Sequence, residues 1–158
     1  MGHIRIAAAT GTGPIPTAAF DSALTDIGIE RYNLLTLSSV IPAGATVTVE
    51  EQLPNLGPTG YLLPAVIAKA IIEPGAAGAA GLAWSRRPSG EGIFYEATGE
   101  DAQSVEDALH QGIAHGCSLR DWGAGEPSTL IERASAPADG YACALVLAAY
   151  GQARQPFE

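Results

Sequence analysis

Two long apolar stretches lie back to back near the middle of the chain, Leu62–Glu73 and Ala76–Arg86, parted only by Pro74-Gly75. Segments with so little polar relief must be covered on more than one side, either as strands inside a layered fold or as interior helical segments. Small residues dominate the second stretch, so propensity does not choose between the two. Pro64, Lys69, Glu73 and Pro74 break the run well before the roughly 20 apolar residues that a membrane helix needs. The N-terminus lacks a basic region followed by an apolar core, and Ile6 stands where a myristoylation signal has Ser or Thr. The expectation is a soluble, cytoplasmic protein with no membrane partner.

A chain of 158 residues suits a single domain spanning 1–158. At that size about 68–70% of the unfolded surface is buried, enough to fold without disulfides or a structural metal. Hydrophobic residues at 47% and charged residues at 16% exclude a disordered chain. Eight Lys and Arg against 17 Asp and Glu give a net charge of −9, which repels a phosphate backbone and argues against a nucleic-acid partner. Cys117 and Cys143 lie in apolar surroundings and read as small buried thiols. His110, His115 and Cys117 tempt a zinc reading, but positions five apart on a helix do not share a face and no fourth ligand is in sight, so no metal is expected.

His3–Thr10 reads as a buried strand, and Gly11-Thr12-Gly13-Pro14-Ile15-Pro16 as an interruption of regular structure. A helix is expected over Thr17–Ile27, capped by Gly28. Tyr32–Leu37 and the alternating Ala45–Glu50 are strand candidates, and the Pro- and Gly-bearing Glu51–Gly60 is a loop. Pro88–Gly92 is a turn and Ile93–Ala97 a strand. Ser104–Leu119 is the clearest helix, with Val105, Leu109, Gly112, Ile113 and Gly116 on one face. Thr129–Ser135 and Tyr141–Tyr150 complete the strands. Strands outnumber helices and cluster together, which points to α+β, with helices outside a mainly antiparallel sheet system.

The glycines of Gly11-Thr12-Gly13 open no nucleotide loop, because the third glycine of the dinucleotide fingerprint and the Gly-Lys-Ser/Thr of a P-loop are both missing. Pro14 and Pro16 also remove two N–H groups that phosphate would need. Ser38-Ser39, by itself, is an ordinary turn pair. Its context is not ordinary: Gly-x-Gly at Gly11–Gly13, Phe20-Asp21-x-Ala23-Leu24, Asn33-Leu34, then Ser38-Ser39-Val40-Ile41-Pro42. Further on comes Gly92-Ile93-Phe94-Tyr95-Glu96-Ala97-Thr98-Gly99, leading into an acidic helix start. In order and spacing, over nearly the whole chain, this resembles the pyruvoyl-dependent arginine decarboxylases.

The resemblance implies a four-layer αββα sandwich, assembled as a homotrimer or a dimer of trimers with active sites between neighbouring subunits. It implies self-cleavage between Ser38 and Ser39 into residues 1–38 and 39–158. The Ser39 hydroxyl would attack the Ser38 carbonyl, and elimination and hydrolysis would leave a pyruvoyl group derived from Ser39. That ketone would form a Schiff base with the α-amine of L-arginine, an amino-acid substrate, and take up electrons as CO2 leaves to give agmatine. Glu96 would return a proton to Cα, which requires burial to raise its pKa. Asn33 would support the cleavage site with a polar contact, and the Asp21 carboxylate would accept the substrate guanidinium. Pro14, Pro16 and Arg31-Tyr32 depart from the family pattern. Two other readings stay open at this point: the same chemistry on a different amino acid, and a catalytically silent structural or regulatory homologue.

Overall fold

Tyr141–Tyr150 is a strand whose residues between the two tyrosines are buried on both faces, and its alternation orders the rest of the molecule. Ala142, Ala144, Val146 and Ala148 point into one buried cluster, while Cys143, Leu145, Leu147 and Ala149 point into another. The computed structural model describes residues 2–123 and 125–157. In chain order the elements are β1 (His3–Gly13), α1 (Pro16–Asp26), β2 (Asn33–Thr36), β3 (Val40–Ile41), β4 (Thr46–Val49), β5 (Leu62–Ile72), β6 (Ala77–Arg86), β7 (Gly92–Gly99), α2 (Ala102–Leu119), β8 (Ser128–Ser135) and β9 (Tyr141–Tyr150). They form an α+β fold with two sheets. One is mixed, in the order β2-β5-β9-β1-β4, with β1–β4 and β2–β5 parallel; the other, β3-β7-β6-β8, is antiparallel throughout.

The two apolar stretches that propensity left undecided are the strands β5 and β6. Two-sided burial decides it. Val66, Ala68, Ala70 and Ile72 of β5 and Ala80 and Leu82 of β6 meet in the cluster between the sheets, together with Ile4, Ile6 and Phe94. The opposite face of β5 packs Leu63 and Ala65 with Ala19, Ala23 and Leu24 of α1. The opposite face of β6 packs Ala79 and Ala83 with Val105, Leu109, Ile113 and Cys117 of α2. Each helix therefore covers one sheet.

The Gly-x-Gly stretch does not interrupt β1 as expected. Pairing with β9 continues to Thr12↔Ala142 and Gly13↔Tyr141, so the long partner strand supplies ladder bonds to the end. The glycines serve α1 instead: a Cβ on Gly13 would stand 2.7 Å from the Ala18 Cβ. Gly28, at φ +81°, ends α1 as the sequence suggests, with its N–H on the Thr25 carbonyl at 3.1 Å. Asp101 caps α2 by accepting from the Ser104 N–H at 2.7 Å, placing the helix start two residues earlier than its apolar pattern does. The short β3, only two residues paired to β7, was not expected.

Candidate active site

β2 belongs to the mixed sheet and β3 to the antiparallel one, so Leu37-Ser38-Ser39 must carry the chain from one sheet to the other. Both sides of this crossover are pinned. The Leu37 N–H donates to the Ala65 carbonyl at 3.0 Å, and the Ser39 carbonyl accepts from the Phe94 N–H at 2.8 Å. One residue further, the Tyr150 hydroxyl donates to the Val40 carbonyl at 2.8 Å. Burial pushes that phenol up to about 12, so it stays protonated and keeps donating. Held between these anchors, Ser39 adopts φ +73°, left-handed backbone that a non-glycine residue reaches only at an energetic cost.

Alternation along β7 sends Ile93, Tyr95 and Ala97 toward α2 and Phe94 toward the other sheet. Glu96 shares the face of Phe94, just beyond the end of the apolar core. The pairing of β3 with β7 stops at Ile93, and that of β2 with β5 at Ala65, so a gap stays open between the two sheets beside Glu96. Two cavities meet there. The smaller, about 230 Å³, is lined by Ser38, Ser39, Tyr95, Glu96 and Arg120 together with Ile93 and Phe94. The larger, about 570 Å³, lies on the other side of Glu96, against Phe20, Leu34, Thr36, Ile67 and Lys69. Glu96 is open to solvent in the single chain, yet the flanking walls remove enough water to raise its carboxyl above the ordinary carboxylate range.

Ser38, Ser39 and Glu96 thus come together within one chain. Asp21 and Asn33 do not join them. Asp21 is exposed on α1, and only its neighbour Phe20 reaches the larger cavity. Asn33 opens β2, where its Nδ2 donates to the Gly60 carbonyl at 2.9 Å, and it lines neither cavity. Residue patterns alone missed Lys69, Thr36 and Arg120. Lys69 carried a signal, as a charge inside an apolar strand; its Nζ stands 4.3 Å from the centre of the Phe20 ring. Arg120 carried none. Tyr32, one of the departures from the family pattern, is buried, and its hydroxyl accepts from the Leu56 N–H at 2.9 Å, which secures the 51–60 loop.

A serine in strained backbone and a carboxyl with a raised pKa share the smaller cavity, and His3, His110 and His115 all lie outside both cavities. The arrangement sets the Ser38–Ser39 peptide and the Glu96 carboxyl in one cavity. Residues 3–155 match the model of the family described as pyruvoyl-dependent arginine decarboxylase. The chain belongs to that family.

Pyruvoyl-dependent arginine decarboxylases from two strains of Halobacterium salinarum are 42% identical to it across 100% of this chain and 99% of their own. One from Thermococcus sibiricus is 36% identical over 73% of each chain. A pyruvoyl-dependent arginine decarboxylase holds its prosthetic group covalently, and the surroundings of Ser39 fit one. The residue faces a cavity, its carbonyl is fixed by Phe94, and a break on its N-terminal side would leave Leu37 and Val40 still bonded to β5 and Tyr150.

Proposed function

We propose that this protein is a self-processing decarboxylase that converts L-arginine to agmatine and CO2, with its pyruvoyl group made from Ser39 by cleavage after Ser38. The observation that carries the reading is the juxtaposition of a serine at φ +73°, in the pinned crossover between two sheets, with a carboxyl whose pKa burial has raised. The names of the relatives support arginine as the substrate. When present, the pyruvoyl ketone captures the substrate amine and withdraws the electrons left as CO2 departs.

The chain's own groups do the rest. Glu96, whose carboxyl burial raises above the ordinary carboxylate range, delivers a proton to the substrate Cα. Phe94 N–H fixes residue 39 in the cavity. Asp21 accepts the substrate guanidinium in parallel hydrogen bonds, and Asn33 gives polar support to the cleavage site. Neither of these two lines the cavities just described in its own chain, and we assign each to the site of a neighbouring copy. That fits a homotrimer, or a dimer of trimers, with sites between subunits. The stacking of α1, the mixed sheet, the antiparallel sheet and α2 supports the four-layer αββα sandwich. Among the described residues no helix is long and apolar enough to cross a membrane, and both cysteines are free and buried, which suits a reducing cytoplasm.

Intact-mass analysis of purified protein tests the reading. Two fragments ending at Ser38 and beginning at residue 39 are expected, the larger blocked by a carbonyl, with decarboxylation faster on arginine than on lysine or ornithine. Ser39→Ala should give only uncut chain. A wild-type chain that stays whole after prolonged warm incubation, or one that decarboxylates with Ser39 unmodified, overturns it.

A further inference from the structure

Some backbone groups around the peptide between Ser38 and Ser39 are committed to hydrogen bonds and others are not. The Leu37 N–H, the Ser39 carbonyl and the Val40 carbonyl are all bonded, but among the described residues the Ser38 carbonyl receives no hydrogen bond. This is the carbonyl that would be attacked. On the reading of self-cleavage given above, the Ser39 Oγ bonds to the Ser38 carbonyl carbon and the carbon–nitrogen bond breaks. The hydroxyl proton ends on the Ser39 nitrogen, so the resulting ester balances without any other reactant. Between these events the Ser38 oxygen carries negative charge, and a donor aimed at it lowers the barrier.

Of the side chains lining the cavity with Ser38 and Ser39, Arg120 alone is cationic. Lys69 faces the larger cavity on the far side of Glu96, and Arg86 donates to the Gly90 carbonyl at 2.7 Å and lies along the 86–91 turn. Arg120 is also held in place. It is the C-cap residue of α2, and its Nη1 donates to the Gly116 carbonyl at 3.0 Å. Its guanidinium carbon stands 5.8 Å from the centre of the Trp122 ring, and the Trp122 N–H returns to the Cys117 carbonyl at 2.9 Å. A guanidinium has five N–H donors, so the bond to Gly116 leaves others for the cavity. Its charge persists at any pH the protein survives.

We propose that Arg120 donates to the Ser38 carbonyl oxygen as negative charge builds on it, and so drives the cleavage that creates the prosthetic group. The inference rests on the self-processing reading, and its test separates the two. Unprocessed wild type, Arg120→Ala and Arg120→Lys are produced by rapid expression, and the uncut fraction is followed over time by intact mass. Arg120→Ala should cleave about 100-fold more slowly, the loss expected for one oxyanion donor. Arg120→Lys keeps the charge and the stem over Trp122, and should fall between alanine and wild type. Millimolar guanidinium should speed cleavage of Arg120→Ala while leaving its melting temperature unchanged, which a purely structural role does not predict. If wild type cleaves and Arg120→Ala keeps pace with it, or if guanidinium does not speed the alanine variant, Arg120 has no such role. Should wild type itself stay whole, the self-processing reading falls first.

Discussion

At the scale of single residues, a hydroxyl and a carboxyl share one cavity, and each is altered by where the fold puts it. The Ser-Ser pair and Glu96 were legible because their neighbours carry a recognisable order. The left-handed backbone of Ser39 was not, since it arises from anchors at Ala65 and Phe94 that are distant in sequence. The direction of the Glu96 shift was expected, since its role requires burial, but the walls that produce it, from β2, β5 and the residue capping α2, were not. Because burial raises that carboxyl, its protonated form survives to higher pH than an ordinary glutamate's. A rate that needs the protonated form falls as pH rises through the raised pKa, so the alkaline limb of kcat should begin above the usual carboxylate range. Glu96→Gln should still cut itself, turn over about 100-fold or more slowly, and show no such limb when kcat is followed across pH. Normal turnover in that variant would remove Glu96 from the reaction.

At the scale of elements, the site depends on how closely α2 lies on β7. Tyr95, next to Glu96 but on the opposite face, rests against the backbone of Gly112 and Gly116. A Cβ on Gly116 would come 2.5 Å from a Tyr95 ring carbon and 2.8 Å from the Ile93 Cδ1. Gly116→Ala must therefore lift the helix or turn the tyrosine, at a cost of about 1–3 kcal/mol. The midpoint of urea unfolding should drop by the corresponding amount, and an unchanged midpoint would mean that the helix yields freely. These two glycines lay on the helix face that periodicity identified, but periodicity says nothing of the aromatic ring they accept. The same limit applied to β5 and β6. An apolar run declares that it is buried; only the partner layers declare it a strand. β3 escaped notice because two residues paired with Ile93 and Gly92, far along the chain, leave no local pattern.

At the scale of the whole molecule, one chain does not bring together every group that the proposed reaction calls on. Ser39 and Glu96 share a cavity, whereas Asp21 lies exposed on α1, and the gap between the sheets opens to solvent beside β5 and β7. Nothing in the sequence distinguishes a residue that serves its own chain from one that serves a neighbour, because both carry the same motif. Mixed oligomers do distinguish them. Ser39→Ala chains lack the reactive group but keep Asp21; Asp21→Ala chains cut themselves but lack the guanidinium acceptor. Each should be inactive as a homo-oligomer. If every site pairs residue 39 of one subunit with Asp21 of the next, co-expression in equal amounts rebuilds about a quarter of the sites by random assembly. Activity on arginine should then return to about that fraction of wild type per total chain, which is about half of wild type per cleaved chain detected by mass. If Asp21 serves its own chain, no mixture contains a complete site, and co-expressed protein stays as inactive as its parents. Recovery in mixtures that sediment as trimers or as pairs of trimers would also fix the ring as the working unit, since a closed ring gives every subunit exactly one such neighbour.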